Sequence, residues 1–287
     1  MKPAPFEYHR PTSLAETFDL LDRYGDDGRI LAGGQSLVPA LNMRLATPRA
    51  VIDINRLPGL DTIRVTPEGL VIGALARQEA VERSPLVREH APLLAAAAPH
   101  VGHAAIRARG TVGGSLALAD PAAELPACAV ALDATIEITS RRARRAIAAA
   151  DFFRGIYTTA LEPGEVVTAL LVPLAASRWR SGFDELARRH GDFALAGLAA
   201  RVRVERGAIG ETRLVFFGVG ARPVRPRAAE AALLGRSAAA NALAAAGRAL
   251  DGDLDPPGDI HGSPALRRHL ARVLLSRVMT RLMEDGR

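Results

Sequence analysis

Two short segments of this sequence each place a pair of adjacent glycines beside hydroxyl side chains. Residues 32–37 read Ala-Gly-Gly-Gln-Ser-Leu, and residues 111–116 read Thr-Val-Gly-Gly-Ser-Leu. Adjacent glycines let the backbone adopt positive φ and approach a ligand without an intervening Cβ, so that successive N–H groups can face one anion. Serine hydroxyls add further donors. Two such loops that face each other would hold both phosphates of a dinucleotide, and we therefore expect a diphosphate site here.

Other phosphate-binding motifs are missing from the sequence. Neither glycine pair belongs to a Gly-x-Gly-x-x-Gly fingerprint, and no Gly-x-x-x-x-Gly-Lys-Ser/Thr string occurs. Residues 218–223, Gly-Val-Gly-Ala-Arg-Pro, have proline where a third glycine would be needed. The paired loops are therefore the candidates for nucleotide binding.

The segments around the first glycine pair predict a small parallel βαβ unit. Ser13 and Glu16 form a capping box before an apolar face, which predicts a helix. Residues 29–32 and 50–54 are expected to be strands, with a helix over 37–45 between them that ends before Pro48. The positive N-terminus of that helix would point at a phosphate.

The remaining pattern predicts an α+β protein. The expected elements are a strand over 69–74, an alanine-rich helix near 93–100, strands dominating 129–172, strands over 194–204 and 212–219, helices over 228–234 and 241–250, and an amphipathic helix over 264–283. Pro173 and the polar residues 176–178 mark a boundary. We expect an N-terminal domain over 1–175, with parts over about 1–57 and 58–175, and a C-terminal domain over 176–287 that contains an antiparallel sheet and helices.

Composition limits the chemistry of the 287 residues. Cys128 is the only cysteine, so the chain forms neither an internal disulfide nor a four-cysteine iron–sulfur cluster, and the seven histidines include no His-x-x-x-His pair. No metal site and no catalytic side chain are predicted. Redox chemistry in this chain would need a bound organic cofactor.

The net charge of +6 raises the question of nucleic acid, but arginines are dispersed along the chain and Lys2 is the only lysine. The densest cluster, within residues 141–145, is expected to be a solvated hairpin turn. No apolar run is long enough to span a bilayer, and residues 1–7 do not resemble a signal peptide. We expect a cytoplasmic protein that binds no nucleic acid.

The order of several short motifs resembles a known family. Besides the two glycine segments, these are residues 51–56 (Val-Ile-Asp-Ile-Asn-Arg), 72–74 (Ile-Gly-Ala), 151–155 (Asp-Phe-Phe-Arg-Gly), 191–194 (Gly-Asp-Phe-Ala) and 221–225 (Ala-Arg-Pro-Val-Arg). Together they resemble the FAD-binding medium subunits of the xanthine dehydrogenase and carbon monoxide dehydrogenase family of molybdenum hydroxylases. The resemblance covers almost the whole chain.

The resemblance implies a set of FAD-binding residues. These are Leu31, Ala32, Gly33, Gly34, Gln35, Ser36, Leu37, Val101, Gly102, Ile106, Thr111, Gly113, Gly114, Ser115, Glu124, Val167, Asp192 and Phe193. By resemblance the glycine segments bind the diphosphate, residues 101–106 line the flavin, and Val167 packs near its ring. Glu124, where the family usually has aspartate, would contact cofactor hydroxyls, and Phe193 would lie beside the isoalloxazine and gate its N5 atom.

Besides Glu124, one segment departs from the family pattern. Related chains often carry a lysine near the flavin, whereas this chain has Asp184 and Glu185 in the corresponding segment. A cation near the N1/O2 edge stabilises reduced flavin, so its absence would lower the potential or transfer that role to Arg188 or a partner chain.

The resemblance also implies the partners. A large subunit with a molybdenum cofactor would oxidise the substrate, a small subunit with two 2Fe–2S clusters would relay electrons, and FAD on this chain would pass them to an acceptor, in a dimer of heterotrimers. A stand-alone FAD-dependent oxidoreductase of the same wider fold is the alternative.

Ordinary structural roles also remain open for several residues: Asp53 and Asn55 as turn formers, residues 151–153 as a hydrophobic anchor, Phe193 as core, His100 and His103 as structural side chains, and Cys128 as an inert buried thiol.

Overall fold

The computed structural model describes residues 2–174 and 179–284. The predicted boundary at residues 176–178 lies outside the described residues. Among those described, the α-helices are α1 (Leu14–Tyr24), α2 (Leu37–Asn42), α3 (Gln78–Arg83), α4 (Pro85–His90), α5 (Pro92–Ala97), α6 (Ala104–Arg107), α7 (Val112–Leu118), α8 (Glu124–Ala131), α9 (Ala149–Phe152), α10 (Arg227–Leu233), α11 (Ala240–Asp253) and α12 (Pro264–Glu284).

The β-strands of the same residues are β1 (Glu7–His9), β2 (Gly28–Leu31), β3 (Ala50–Asp53), β4 (Ile63–Thr66), β5 (Gly69–Gly73), β6 (Thr135–Thr139), β7 (Arg144–Ala148), β8 (Phe153–Gly155), β9 (Thr158–Thr159), β10 (Val166–Val172), β11 (Trp179–Leu186), β12 (Ala196–Glu205) and β13 (Ala208–Phe217). Short 3₁₀ helices lie at Gly25–Asp27 and Ala98–His100.

The first sheet has the strand order β1-β3-β2, and both pairings are parallel. Half of the predicted capping box forms at α1, since Ser13 Oγ accepts from the Glu16 amide at 3.1 Å; the Glu16 carboxylate accepts at 2.8 Å from the amide of Thr12, one residue before the N-cap Ser13. Helix α2 connects β2 to β3, which confirms the predicted βαβ unit. Strand β1, which the sequence analysis missed, adds a third parallel strand.

The second sheet is antiparallel, with the order β4-β5-β10-β6-β7. Its β6–β7 hairpin carries the arginine cluster at an exposed turn, where Arg141 pairs with Asp19 and with Asp22. The predicted start of strand structure at residue 129 is wrong, because Glu124–Ala131 is a helix. All eight of its residues are buried, and an apolar segment buried on every side carries no periodicity that separates helix from strand.

The third sheet is an antiparallel meander, β11-β12-β13. The sequence analysis missed β11, because its sequence, Trp-Arg-Ser-Gly-Phe-Asp-Glu-Leu, lacks apolar alternation and buries only Phe183 fully. Gly197 on β12 makes room for an aromatic ring, since a Cβ there would lie 2.0 Å from Phe217 Cζ. Phe217 in turn stacks on Phe183, with 5.7 Å between the ring centroids.

The third sheet separates two hydrophobic cores. Its Phe183, Ala199 and Phe217 pack into the core that α5, α8 and the second sheet share. The opposite face, including Leu198, packs against α10, α11 and α12. Helix α12 buries Ala271, Leu274, Leu275, Val278, Met279 and Leu282, which is the helical spacing of an amphipathic element.

The α+β fold predicted from the sequence, with a parallel unit followed by antiparallel sheets and helices, is thus confirmed. Within residues 2–174 and 179–284, no helix combines the length and the apolar character needed to cross a membrane.

Candidate functional site

The first glycine pair lies in the turn between β2 and α2. Gly34 has a φ of +74°, and its carbonyl accepts from the Val38 amide at 3.0 Å. Among the described residues, the backbone amides of residues 33–36 donate no hydrogen bond. Four successive free donors before a helix match the backbone arrangement that binds anions. This loop therefore has the geometry that the sequence predicted.

The second glycine pair differs from that prediction. Gly113 and Gly114 belong to the first turn of α7, and Thr111 caps this helix by accepting from the Gly114 amide at 3.1 Å. The Gly113 amide donates to the Ala74 carbonyl at 2.8 Å, and the Ser115 amide to the Thr111 carbonyl at 3.1 Å. The prediction of an open loop with free amides is therefore wrong for the second glycine pair.

Packing explains the glycine at position 113. A Cβ on Gly113 would lie 2.5 Å from the Ala74 Cβ and 2.8 Å from the Ala74 carbonyl oxygen. Because Gly113 has no Cβ, α7 can pack closely against the end of β5. What this segment offers to a ligand is the half-buried hydroxyl of Ser115 and the hydroxyl hydrogen of Thr111.

The two glycine segments nevertheless converge. A Cβ on Gly33 would lie 2.5 Å from the Arg109 carbonyl oxygen and 2.8 Å from the Gly110 Cα, directly before Thr111. Arg77 holds this junction together, because its Nη2 donates to Asn55 Oδ1 at 2.8 Å and its Nη1 to the Arg109 carbonyl at 2.5 Å. The first glycine loop and the capped helix are therefore neighbours.

A cleft of about 590 Å³ opens beside the first glycine loop. Its lining residues are Tyr8, Arg10, Leu31, Ala32, Gly33, Gly34, Gln35, Val38, Pro39, Asp53, Asn55, Arg77 and Arg109. The sequence analysis missed Tyr8 and the three arginines, because 37 lysine and arginine residues spread along the chain conceal which ones gather around an anion site. The three guanidinium groups give this cleft a positive charge suited to phosphate.

Asp53 and Asn55 form the expected turn and also belong to the cleft wall. Asp53 Oδ1 accepts from the Asn55 amide at 2.9 Å, and Oδ2 accepts from the Tyr8 hydroxyl. Burial opposes ionisation of Asp53, but the hydrogen bonds from Tyr8 and Asn55 prevail and hold its pKa below the ordinary value. Asp53 is therefore a carboxylate at neutral pH and fixes the side chains around it.

The predicted flavin-lining residues form a second group. Val101 is buried, Gly102 has a φ of +50°, and Ile106 lies half-buried in α6. Gly191, with a φ of +86°, approaches them so closely that a Cβ would lie 2.5 Å from the His103 ring. Residues 101–106 are thereby brought against the loop that carries Asp192 and Phe193.

The individual side chains of this second group differ in exposure. Asp192 pairs with Arg189 at 3.2 Å, and Phe193 is 72% exposed, so Phe193 is not a core residue. Val167 is buried in the main core, opposite Ile138 on β6. Ser36 and Leu37 begin the helix behind the first loop.

Three titratable side chains lie near one another on α8, β11 and the 3₁₀ helix Ala98–His100. Glu124 is 8% exposed, and burial together with the nearby charge of Glu185 raises its pKa to about 8. The Glu185 side chain is 6% exposed; its Oε1 lies 3.5 Å from His100 Nδ1, while its Oε2 has no partner among the described residues. The interaction with Glu185 raises the pKa of His100 above its ordinary value.

Asp184 has a different environment from its neighbour. Its carboxylate pairs with Arg277 at 3.3 Å and with Arg281 at 2.9 Å on α12. Arg188, suggested as a substitute for the missing lysine, instead contacts His261 Nδ1 at 2.9 Å. The segment where the resemblance leads one to expect a lysine thus carries two carboxyl groups, of which that of Glu185 is buried.

These features fit a phosphate-containing cofactor with an extended polar chain. The free amides of residues 33–36 and the arginines of the cleft suit a diphosphate. The absence of a Cβ at Gly33 lets this loop pack against the Arg109 carbonyl, and the buried Glu185 Oε2 atom has no hydrogen-bond partner among the described residues.

Comparison with known proteins identifies two family matches. The family described as the FAD binding domain in molybdopterin dehydrogenase matches residues 4–175, and the CO dehydrogenase flavoprotein C-terminal domain matches residues 181–282. Among curated proteins, the chain is 38% identical to the 6-hydroxypseudooxynicotine dehydrogenase complex subunit alpha of Paenarthrobacter nicotinovorans. That match covers 100% of this chain and 97% of the relative.

Solved structures of similar proteins share the fold over nearly their whole length. Carbon monoxide dehydrogenase from Hydrogenophaga pseudoflava matches with a TM-score of 0.95 and 37% identity, covering 98% of each chain. Quinoline 2-oxidoreductase from Pseudomonas putida 86 matches with a TM-score of 0.94 and 37% identity, covering 100% of this chain and 99% of the other.

Proposed function

The chain belongs to the family of FAD-binding medium subunits of molybdenum hydroxylases, and from this premise we propose how its residues hold FAD and serve electron transfer. FAD is its cofactor, and the chain is a subunit of an oxidoreductase. The molybdenum cofactor and the iron–sulfur clusters belong to partner subunits in complexes of this kind.

The diphosphate of FAD is proposed to bind at the junction of the two glycine segments. The single observation that carries this proposal is the contact of Gly33 with the Arg109–Gly110 backbone, which places four free amides next to the capped start of α7. Residues 33–36 would donate backbone hydrogen bonds, and Arg77 and Arg109 would neutralise phosphate charge. Thr111 and Ser115 would add hydroxyl donors.

The remaining predicted residues are proposed to position the ring and ribityl chain. Val101, Gly102 and Ile106 on one side and Phe193 on the other would enclose the flavin, and Gly191 allows these two segments to meet. When bound, FAD supplies the exchange between single-electron carriers and a two-electron acceptor. The chain's own residues bind the cofactor, orient its ring and limit its exposure to water; none need form a covalent bond with a substrate.

Electrons are proposed to enter from the 2Fe–2S clusters of a small subunit and to leave to an external acceptor, after a large molybdenum subunit has oxidised the substrate. The named relatives, a dehydrogenase complex subunit and a carbon monoxide dehydrogenase, support multi-subunit assembly. We also propose a dimer of heterotrimers, a cytoplasmic location, and a domain division near residue 175, which the limits of the two family matches support.

Co-expression of this chain with a large molybdenum-cofactor subunit and a small iron–sulfur subunit from the same source tests the proposal. A complex that co-purifies, contains one FAD per copy of this chain, and loses it on Gly33→Ala would support it. A correctly folded complex without flavin absorbance would refute the cofactor site. Substrate turnover by the purified single chain with FAD would instead favour a stand-alone oxidoreductase.

A further inference from the structure

A buried arginine near the start of α12 contacts three segments that are distant from one another in the sequence. Arg267 is 5% exposed. Its Nη1 donates to the Leu195 carbonyl at 2.7 Å and to the Gly218 carbonyl at 2.9 Å, and its Nη2 donates to Asp259 Oδ2 at 2.7 Å. One guanidinium group therefore fixes the distances between two backbone carbonyls and a carboxylate.

Asp259 is itself held in a tight turn formed by residues 259–262. Its Oδ1 accepts from the amides of His261 and Gly262 at 2.8 and 2.9 Å, and its own amide donates to the Gly262 carbonyl at 3.1 Å. The hydrogen bond from the His261 amide is the main cause that lowers the pKa of Asp259, so this carboxyl group is ionised at neutral pH. A charged carboxylate in a fixed orientation in turn orients the guanidinium group of Arg267.

The loop of residues 187–194, which connects β11 to β12, is attached to this cluster at both ends. Its C-terminal end is held through the Leu195 carbonyl. Near its N-terminal end, Arg188 Nη1 lies 2.9 Å from Nδ1 of His261, which belongs to the same turn as Asp259. The position of the loop therefore depends on the ion pair behind it.

The middle of this loop contacts the part of the chain that matches the FAD-binding family. Gly191 has a φ of +86°, and a Cβ there would lie 2.5 Å from the His103 ring and 3.2 Å from the Gly102 carbonyl oxygen. Gly218 makes a second contact with that part, since its amide donates to the Pro121 carbonyl at 2.8 Å. The guanidinium group thus holds two C-terminal segments that each touch the FAD-binding part.

Stabilisation of the fold alone does not account for an arginine at this place. The core beneath α12 is apolar and includes Leu274, Leu275 and Met279. Apolar side chains in place of a buried ion pair often leave a protein equally stable or more stable. A guanidinium group differs from them because its planar set of donors fixes several acceptors at once. The contacts of Arg267 therefore indicate that it positions the loop.

We propose that Arg267 is a positioning residue that holds the loop of residues 187–194 against residues 102–103. Through this placement the loop keeps Phe193 over the flavin ring. The inference rests on the proposed function, in which Phe193 lies beside the isoalloxazine. Arg267 acts through the backbone of the loop, so loss of its contacts should loosen the loop and expose the flavin without removing FAD.

Hydrogen–deuterium exchange in the complete complex tests the attachment of the loop. The amides of Asp192 and Leu195 donate hydrogen bonds within the loop and at its base, at 3.1 and 2.8 Å, and their exchange reports on loop opening. We expect Arg267→Gln to speed exchange in the peptide that covers residues 187–195 by about tenfold, because hydrogen bonds from a charged group are lost.

Quenching of flavin fluorescence by iodide in the same complexes tests the effect on the ring. We expect Arg267→Gln to raise the quenching constant several-fold, toward that of Phe193→Ala, with the FAD content unchanged. The double variant should be quenched no more than Phe193→Ala alone, because its loop carries no aromatic side chain to position. This lack of additivity distinguishes positioning of Phe193 from general destabilisation.

Two control variants lie on the same helix. Arg272→Gln removes an arginine that also binds a carbonyl, that of Gly247 at 3.2 Å, and that also pairs with a carboxylate, that of Asp251. Met279→Ala removes a fully buried core side chain and should lower the Tm. Neither control should change exchange of the loop or quenching; the same changes in either one as in Arg267→Gln would refute a specific role.

The outcomes separate the role of Arg267 from the cofactor site. Unchanged exchange of the loop in Arg267→Gln would overturn the proposal. Faster exchange with unchanged quenching, or quenching that adds to that of Phe193→Ala, would overturn the effect on the ring while FAD binding stands. Wild-type complex without FAD would refute the proposed function itself. If Arg267→Gln does not assemble, Asp259→Asn decides by the same two measurements, because it removes the charge that orients the guanidinium group.

Discussion

Gly33 lies so close to the chain before α7 that a Cβ on it would fall 2.5 Å from the carbonyl oxygen of Arg109. Contacts this short do not occur between a real Cβ and a backbone oxygen, so any larger residue at position 33 has to displace one of the two segments. The distance between the first glycine loop and the start of α7 thus depends on the absence of a single methyl group.

Gly33→Ala should therefore weaken FAD binding by about 5- to 160-fold, because overpacking of this kind costs about 1–3 kcal/mol. FAD affinity is measured from flavin absorbance retained on dialysis of the complex. Gly252→Ala is the control, since Gly252 lies in α11 with no atom within 4 Å of an added Cβ, and it should leave FAD binding unchanged. Equal affinity in the Gly33 variant would contradict the site.

Arg77→Gln should also lower FAD affinity by about tenfold, because it removes the bridge from Asn55 to the Arg109 carbonyl. Arg77→Lys should not restore binding, since an ammonium group lacks the planar fork that meets both acceptors. Arg64→Gln, an exposed arginine on β4, serves as the control. Titration of FAD into the deflavinated complex, followed by fluorescence, distinguishes the three variants.

The sequence predicted the fold where local pattern and tertiary role agree. The βαβ unit was predictable because short apolar strand segments, a capping-box sequence and a glycine turn all point to the same structure. Strand β11 and the helix at Glu124–Ala131 were not, because the former is stabilised by pairing with β12 and the latter is buried on every side. Both elements derive their structure from neighbours distant in sequence.

The candidate site shows the same limit. The first glycine pair was recognisable, whereas the use of Gly113 for packing on Ala74 depends on a contact between segments 39 positions apart in the sequence. Arg77 and Arg109 are ordinary arginines in the sequence and become site residues through the convergence at Gly33. The contact between His100 and Glu185 was likewise not predictable, because the 3₁₀ helix Ala98–His100 and β11 bring together residues that are 85 positions apart in the sequence.

Thr111→Val should destabilise the start of α7, because it removes the hydroxyl that accepts from the Gly114 amide. Loss of such a cap costs about 1 kcal/mol of unfolding free energy. Thr111→Ser keeps the hydroxyl and should retain most of the stability and the FAD affinity. Denaturant unfolding measures the first quantity; a valine variant as stable as wild type would show that the cap contributes nothing.

Glu124→Gln should change how stability depends on pH. Burial raises the pKa of Glu124 to about 8 from an ordinary value of 4.5, so between these values the folded chain binds a proton that the unfolded chain does not. Stability from this group is present below pH 4.5 and is lost as the pH rises toward 8. The stability of the glutamine variant should not decline in this way, and the variant should be more stable than wild type near pH 8.

The contrasting variant is Glu165→Gln. The hydrogen bond from Arg145 lowers the pKa of Glu165, so its contribution is present at neutral pH and is lost as the pH falls through the acid range. Glu165→Gln should therefore lower the Tm at neutral pH and reduce the acid sensitivity. Thermal unfolding across the pH range checks both variants, and parallel curves for Glu124→Gln and wild type would exclude a protonated Glu124.

Phe193 and Phe183 should respond oppositely to truncation, although both flank the proposed flavin segment. Phe193 is 72% exposed, so Phe193→Ala should change the stability of the flavin-free chain by less than about 0.5 kcal/mol. Phe183 is 7% exposed and packs between His100 and Phe217, so Phe183→Ala should cost about 3–5 kcal/mol.

With FAD bound, Phe193→Ala should have the clear effect, because this substitution changes the access of solvent to the flavin ring. If Phe193 covers the isoalloxazine, Phe193→Ala admits an ionic quencher such as iodide and raises the quenching constant of flavin fluorescence several-fold. Ile260→Ala, at a residue that is 95% exposed, removes a similar apolar group and should change neither stability nor quenching. If Phe193→Ala shows the same quenching constant as wild type, the isoalloxazine does not lie beside Phe193. Removal of a side chain that does not cover the flavin leaves its exposure to iodide unchanged.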